Sequence, residues 1–194
     1  MVTTELRFFW EGTLPDYFNR IIKQMDFTDE QPMTDYYLKM EASPNATVKW
    51  REPNLEIKAL VNTLNENSLN LQAWEKNKIM EKQEKPSGDQ WQNVNKHRYL
   101  LFWDSQFQKT NKSIEDNDEL YCQIELSQIK FKEVDFHSLC LECGGQPFTE
   151  QPKLLIEGFS KLQSSVDEFT KKCRQGQQLS YASFLPEGAN HFRL

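Results

Sequence analysis

The sequence predicts a mainly β protein with flanking helices (α+β), built as an antiparallel barrel of about eight strands forming a tunnel. Three observations carry that expectation. Apolar and polar residues alternate with period two along much of the chain, β-branched and aromatic residues concentrate in those stretches, and turn-forming residues separate them. At 194 residues the chain has the size of one domain, residues 1–194, enough to close a sheet around a core.

Thr3 to Trp10 reads as the first strand, with Thr3, Glu5 and Arg7 on one face and Leu6, Phe8 and Trp10 on the other. Gly12 ends it, and Pro15 suits the first turn of a helix in which Phe18, Ile21, Ile22 and Met25 recur at helical spacing. Thr34–Met40 and Ala46–Arg51 follow as strands joined at Ser43-Pro44-Asn45. Pro53-Asn54 turns into Leu55–Val61, where Leu55, Ile57 and Ala59 alternate with Glu56 and Lys58. Leu69–Lys78 fits a strand with Leu69, Leu71 and Ala73 on one side; its periodicity also admits a short helix, and the strand is the preferred reading. Glu81–Gln90 is a polar, solvent-facing connection.

Trp91–Asp104 is a long aromatic strand with Lys96 and Arg98 on one face and Tyr99, Leu101 and Trp103 on the other. After an acidic, Asn-rich linker, Asn111–Glu119, two more strands follow, Leu120–Phe131 and Phe136–Cys143, bearing Glu125 and Glu142; Gly144-Gly145 ends the second. From Lys153 the period becomes 3.6, and Leu155, Phe159, Leu162, Val166, Phe169 and Cys173 mark one face of a helix of about five turns. The tail, Leu179–Leu185, is expected to dock back on the domain.

Composition excludes several function classes. A hydrophobic content of 38% with 12% aromatics is too rich for a disordered chain, and no apolar run reaches the length of a membrane span. Met1–Trp10 lacks the pattern of an export signal, which predicts a cytoplasmic protein. A formal net charge of -6 argues against nucleic acid as a partner and makes any cationic site local. Cys122, Cys140, Cys143 and Cys173 read as free thiols: Cys140-x-x-Cys143 lacks a second pair for zinc, and on a strand its two thiols point to opposite faces. His97, His137 and His191 lack metal-ligand spacing and read as structural or surface residues.

The basic residues are more informative in their placement than in their number. Arg7, Lys49, Arg51, Lys58, Lys96 and Arg98 gather at alternating positions of the predicted strands, in a protein that is acidic overall. The plain alternative puts these charges on a solvated outer face. It would also bury Leu6, Phe8, Trp10, Trp50 and Trp103 inside a narrow barrel. A wide, polar-lined barrel with helices over its apolar outer side accommodates both sets. Converging Lys and Arg groups in such a lumen suit a polyanion, because phosphate oxygens take charge-assisted hydrogen bonds from them.

The run Glu5-Leu6-Arg7-Phe8 resembles the second half of the N-terminal Glu-x-Glu-x-Lys-Phe signature of the CYTH superfamily, the triphosphate tunnel metalloenzymes. Asp35-Tyr36-Tyr37, Lys49-x-Arg51, Leu55-Glu56-Ile57-Lys58, Lys96-x-Arg98, a strand ending near Glu142, and a helix before Ser180-Tyr181 follow in the same order, so the resemblance covers nearly the whole chain. It implies an eight-stranded tunnel in which Arg7, Lys49, Arg51, Lys58, Lys96 and Arg98 clamp a triphosphate. It implies Glu5 and Glu142 as the catalytic acids and as ligands of Mg or Mn, joined by Glu56 and Glu125 where these face the tunnel. Thr3 stands in place of the first signature glutamate and Cys140 in place of a second, which thins the oxygen ligands that hard cations prefer.

Two function classes follow. One is metal-dependent hydrolysis of a triphosphate-bearing substrate, such as tripolyphosphate, a nucleoside triphosphate or thiamine triphosphate. The other is a non-catalytic protein that binds or senses a polyphosphate or organic phosphate, since fold does not dictate function. Cyclisation of ATP lacks a visible base pocket, and a module that pairs with another protein through its aromatic strands is the remaining alternative. The partner expected is a small polyphosphate-type anion, with a homodimer as the candidate assembly. Ser180 and Tyr181 are expected to pack rather than to catalyse.

Overall fold

The stretches with period-two alternation form strands. A computed structural model describes residues 1–40, 44–79, 84–110, 119–165 and 176–187. In chain order the elements are β1 (Val2–Glu11), α1 (Asp16–Gln24), β2 (Thr28–Asp29), β3 (Met33–Leu38), β4 (Ala46–Arg51), β5 (Asn54–Glu66), β6 (Leu69–Ile79), β7 (Trp91–Asp104), β8 (Tyr121–Phe131), β9 (Val134–Gly144), a 3₁₀ turn (Phe148–Glu150), α2 (Gln151–Ser165), β10 (Gln177–Gln178) and α3 (Tyr181–Glu187). Leu69–Ile79 is a strand, the preferred reading of that ambiguous stretch. Ser43, residues 80–83, residues 111–118, Val166, Phe169, Cys173 and His191 lie outside the described residues, and with them part of a predicted turn, most of a linker and the far end of the predicted long helix.

Eight strands close on themselves. The order β1-β6-β5-β4-β3-β7-β8-β9 returns from β9 to β1, every pair antiparallel, which leaves the ring without a free edge. Two short strands attach outside the ring: β2 pairs with β7, and β10 continues along β1 at Phe8 and Phe9, beyond the reach of β6. The β5–β6 and β8–β9 hairpins turn through residue pairs with positive φ, Asn67 and Ser68 (52° and 64°) and Lys132 and Glu133 (49° and 62°). That geometry matches the right-handed strand twist. Strand β5 runs five residues past Val61 because Asn62–Glu66 bond across to Leu69–Ala73 of β6, a ladder made by backbone groups whatever the side chains.

Alternation then sorts the side chains. Leu6, Phe8 and Trp10 of β1 point outward with Leu101, Trp103, Ile124, Leu139 and Leu141, and α1 (Phe18, Ile21) and α2 (Leu155, Phe159, Leu162) pack over them to form the larger core. Phe8 stacks on Phe159 at 5.7 Å and Trp10 on His137 at 5.2 Å, so His137 has the structural role expected of it. Cys143 joins this outer core while Cys140 faces inward, and both thiols are free. No helix among the described residues is long and apolar enough to cross a membrane.

A second core lies inside the barrel. Phe9, Tyr37, Val94, Ile129, Phe131 and Phe136 are inward positions of five different strands, and Phe184 and Leu185 of α3 pack among them. Phe184 is fully buried, stacked on Phe9 at 4.3 Å and edge-on to Phe136 at 5.0 Å. The docked tail is therefore an apolar plug across one end of the lumen.

Candidate functional site

Next to the plug the lumen is polar. A cavity of about 670 Å³ is lined by Arg7 of β1, Lys49 and Arg51 of β4, Lys58 of β5, Lys76 and Lys78 of β6, and Lys96 and Arg98 of β7. All six cations expected from the sequence line it together, and so do the four glutamates, Glu5, Glu56, Glu125 and Glu142. Alternation puts them there: each set occupies the parity opposite to the residues of the outer core.

Ion pairs hold these groups in place. Arg7 donates to Glu125 at 3.0 Å and approaches Glu5 at 3.5 Å; Lys58 donates to both Glu5 oxygens at 3.3 and 3.4 Å. Lys49 lies 2.8 Å from Glu56, Arg98 contacts Glu30 and lies 3.3 Å from Glu125, and Lys76 donates to Glu142. Asp35, fully buried, receives Arg51 in a two-pronged contact at 2.6 and 2.7 Å and Lys96 at 2.7 Å. Burial alone would penalise every one of these charges, so the pairing is what makes the lumen compatible with folding.

The acids stay ionised against burial. Burial works to raise Glu5, but Lys58, Arg7 and Lys76 outweigh it and hold its carboxyl far below the usual range. Burial is likewise outweighed at Glu125 by Arg7, Arg98 and Lys96, and at Asp35 by Lys96 and Arg51. Among the cations the outcome differs. Lys58 is raised, because Glu5, Glu142 and Glu56 overcome its burial. Lys96 is pushed down to about 7 by burial, which Asp35 opposes and Arg51 and Lys49 reinforce. NMR titration of the lysine side chains is expected to find one midpoint near 7 that disappears in Lys96→Met; a lowest midpoint near the ordinary 10.5 would overturn this.

Lys76 and Lys78 were not anticipated. Their Lys-x-Lys spacing repeats that of the other cation pairs and, on the strand preferred for this stretch, gives them a common face, which is the signal that could have found them. Tyr181 was expected only to pack. It lines the cavity with Ser180, its ring lies 3.8 Å from the Lys96 ammonium and 4.8 Å from the Arg7 guanidinium, and its hydroxyl is buried without a hydrogen-bond partner among the described residues. Asp35 was noticed only within the run Asp35-Tyr36-Tyr37; its position two residues before inward-facing Tyr37 was the available signal.

Among the described residues the carboxylates do not assemble into a resident metal centre. Glu5 and Glu142 sit directly opposite one another on β1 and β9, but no three His, Cys, Asp or Glu side chains among the described residues are grouped to hold an ion. Glu5 and Glu142 are bonded to Lys58 and Lys76, and the neighbouring positions are neutral. Thr3 is paired in register with Trp74, whose indole lines the cavity, and the Cys140 thiol donates to Glu5 at 3.7 Å. This donor set does not fit the oxygen-rich shell of Mg or Mn.

Fold and site together define a closed eight-stranded antiparallel barrel with a charged, ion-paired lumen, the architecture that the resemblance to the CYTH superfamily implies. No protein-family model and no curated protein sequence matches the chain. Among solved structures it is similar to the PH1012 protein of Pyrococcus horikoshii, with 14% identity, 82% of this chain and 89% of that chain covered, and a TM-score of 0.45. It is also similar to a chain of the Schizosaccharomyces pombe Mediator head module (9% identity, 86% and 96% covered, TM-score 0.47) and to the S. pombe Pct1 RNA triphosphatase solved with the Spt5 CTD (11% identity, 89% and 82% covered, TM-score 0.36).

Proposed function

We propose that the barrel is a receptor for a small polyphosphate-type anion, bound in its lumen. The observation that carries this reading is the convergence of eight Lys and Arg side chains from five strands on one cavity whose lining contains four carboxylates. An ammonium has three donors and a guanidinium five, more than one carboxylate partner uses, so an anion gains hydrogen bonds to groups that ion pairs already orient. The free thiols fit a cytoplasmic setting. Calorimetric titration with inorganic tripolyphosphate is expected to show saturable binding, with orthophosphate far weaker; no heat with tripolyphosphate would sink the reading.

Hydrolysis of the bound anion is the second reading, favoured by the face-to-face placement of Glu5 and Glu142 in the same lumen. Release of orthophosphate from tripolyphosphate, lost in Glu142→Gln, would establish it. Binding without release leaves the receptor.

A further inference from the structure

The corner of the lumen where the resemblance implies a metal ion is filled by basic side chains instead. Lys58 and Lys76 are directly opposite one another on β5 and β6. Two ammoniums at that spacing repel, and a neighbouring carboxylate relieves the repulsion at each: Glu5 accepts Lys58 and Glu142 accepts Lys76. The result is a compact Lys–Glu–Glu–Lys cluster on four strands. We infer that these two ammoniums take the role of the divalent cation, so that the lumen binds its polyphosphate-type anion directly and without metal.

This inference rests on the receptor reading and specifies its chemistry. An ammonium has three donors and no acceptor, so Lys58 can satisfy Glu5 and still present a donor to a phosphate oxygen. Lys76 does the same from Glu142. Two further buried groups offer protons without an acceptor among the described residues. The Trp74 indole N–H belongs to a cavity-lining side chain that is 2% exposed, and the Tyr181 hydroxyl belongs to a cavity-lining ring packed against the Arg7 and Lys96 charges. An indole N–H can only donate, and a buried unpaired donor is costly unless a ligand supplies the acceptor. Acceptor oxygens of a polyphosphate would satisfy both. A metal ion would instead compete with Lys58 and Lys76 for the same glutamate oxygens.

The 194-residue chain, titrated with tripolyphosphate in EDTA and again with Mg or Mn at matched free anion, tests this. Binding in EDTA with affinity within about threefold of that with metal is the expected result. Binding that appears only when metal is added would overturn the inference and leave the receptor reading standing. No binding under either condition would overturn both. Lys76→Met should weaken binding in EDTA by about tenfold or more, and Lys76→Arg should recover most of the loss, because one charge-assisted contact is removed and then restored. A folded Lys76→Met with unchanged affinity would also count against the inference; if that variant does not fold, the two wild-type titrations decide.

Discussion

Replacing Lys58 and Arg98 together by alanine is expected to weaken tripolyphosphate binding by about 100- to 10,000-fold. Each substitution removes a cation held at the cavity wall by carboxylates, Lys58 by Glu5 and Arg98 by Glu125 and Glu30. A charge-assisted hydrogen bond contributes about 1.5–3 kcal/mol, so two lost contacts correspond to about two to four decades in affinity. The fold should survive, because Arg7 still lies 3.5 Å from Glu5 and 3.0 Å from Glu125 and keeps both acids paired. Calorimetry, with circular dichroism as the check on folding, makes the measurement. Unchanged affinity in a folded double variant would mean that the anion does not bind in this lumen.

Asp35→Ala should reduce unfolding stability by about 3–5 kcal/mol, the range for removing one partner of a buried ionic network. Asp35 is fully buried and is the acceptor shared by Arg51 and Lys96. The two cations respond differently to its loss. Lys96, already lowered to about 7, can shed its proton and become neutral at a modest cost. Arg51 cannot deprotonate, and its guanidinium, with the side chain 32% exposed, must recruit water.

The same residue sets an acid limb. The Asp35 carboxyl is depressed in the folded state by Lys96 and Arg51 acting against burial. Its contribution is therefore fully present above the unfolded carboxylate value near 3.9 and is lost as pH falls below it toward the folded value. Glu5, Glu125 and Glu56 are depressed in the same direction and add to this limb. Urea titrations from pH 7 to pH 3 should show wild-type stability falling on the acid side, with a shallower fall in Asp35→Ala. Parallel curves would mean that Asp35 is not ionised in the folded protein.

Much of the barrel was legible because period-two alternation is local. The chain needs only its own backbone pleat to place Glu5 and Arg7 on one side and Leu6 and Phe8 on the other, and β1, β4 and β7 follow that rule. Element ends were harder to place. The sequence ends one strand at Phe131, as β8 does, but Lys132 and Glu133 make a tight turn without Gly or Asn, so Val134 and Asp135, which open β9, carried no strand signal. Asn62–Glu66 extend β5 although they are exposed and polar apart from Leu64, because their ladder partner is supplied by β6.

By itself the sequence determined the strands, their faces and a shared parity for six cations, since those depend on residue type and spacing along one chain. Only the tertiary structure decided what stands beside what. Closure of β9 on β1 set Glu142 opposite Glu5, the pairing of β5 with β6 set Lys76 opposite Lys58, and docking of α3 drove Phe184 into one end of the lumen and laid Tyr181 over Arg7 and Lys96. Spacing along a chain carries no information about cross-strand register or about where a distant helix packs; those are set by the free energy of the whole assembled core. Six cations sharing a strand face thus become, once the barrel closes, eight cations around a cavity where lysines occupy the glutamates.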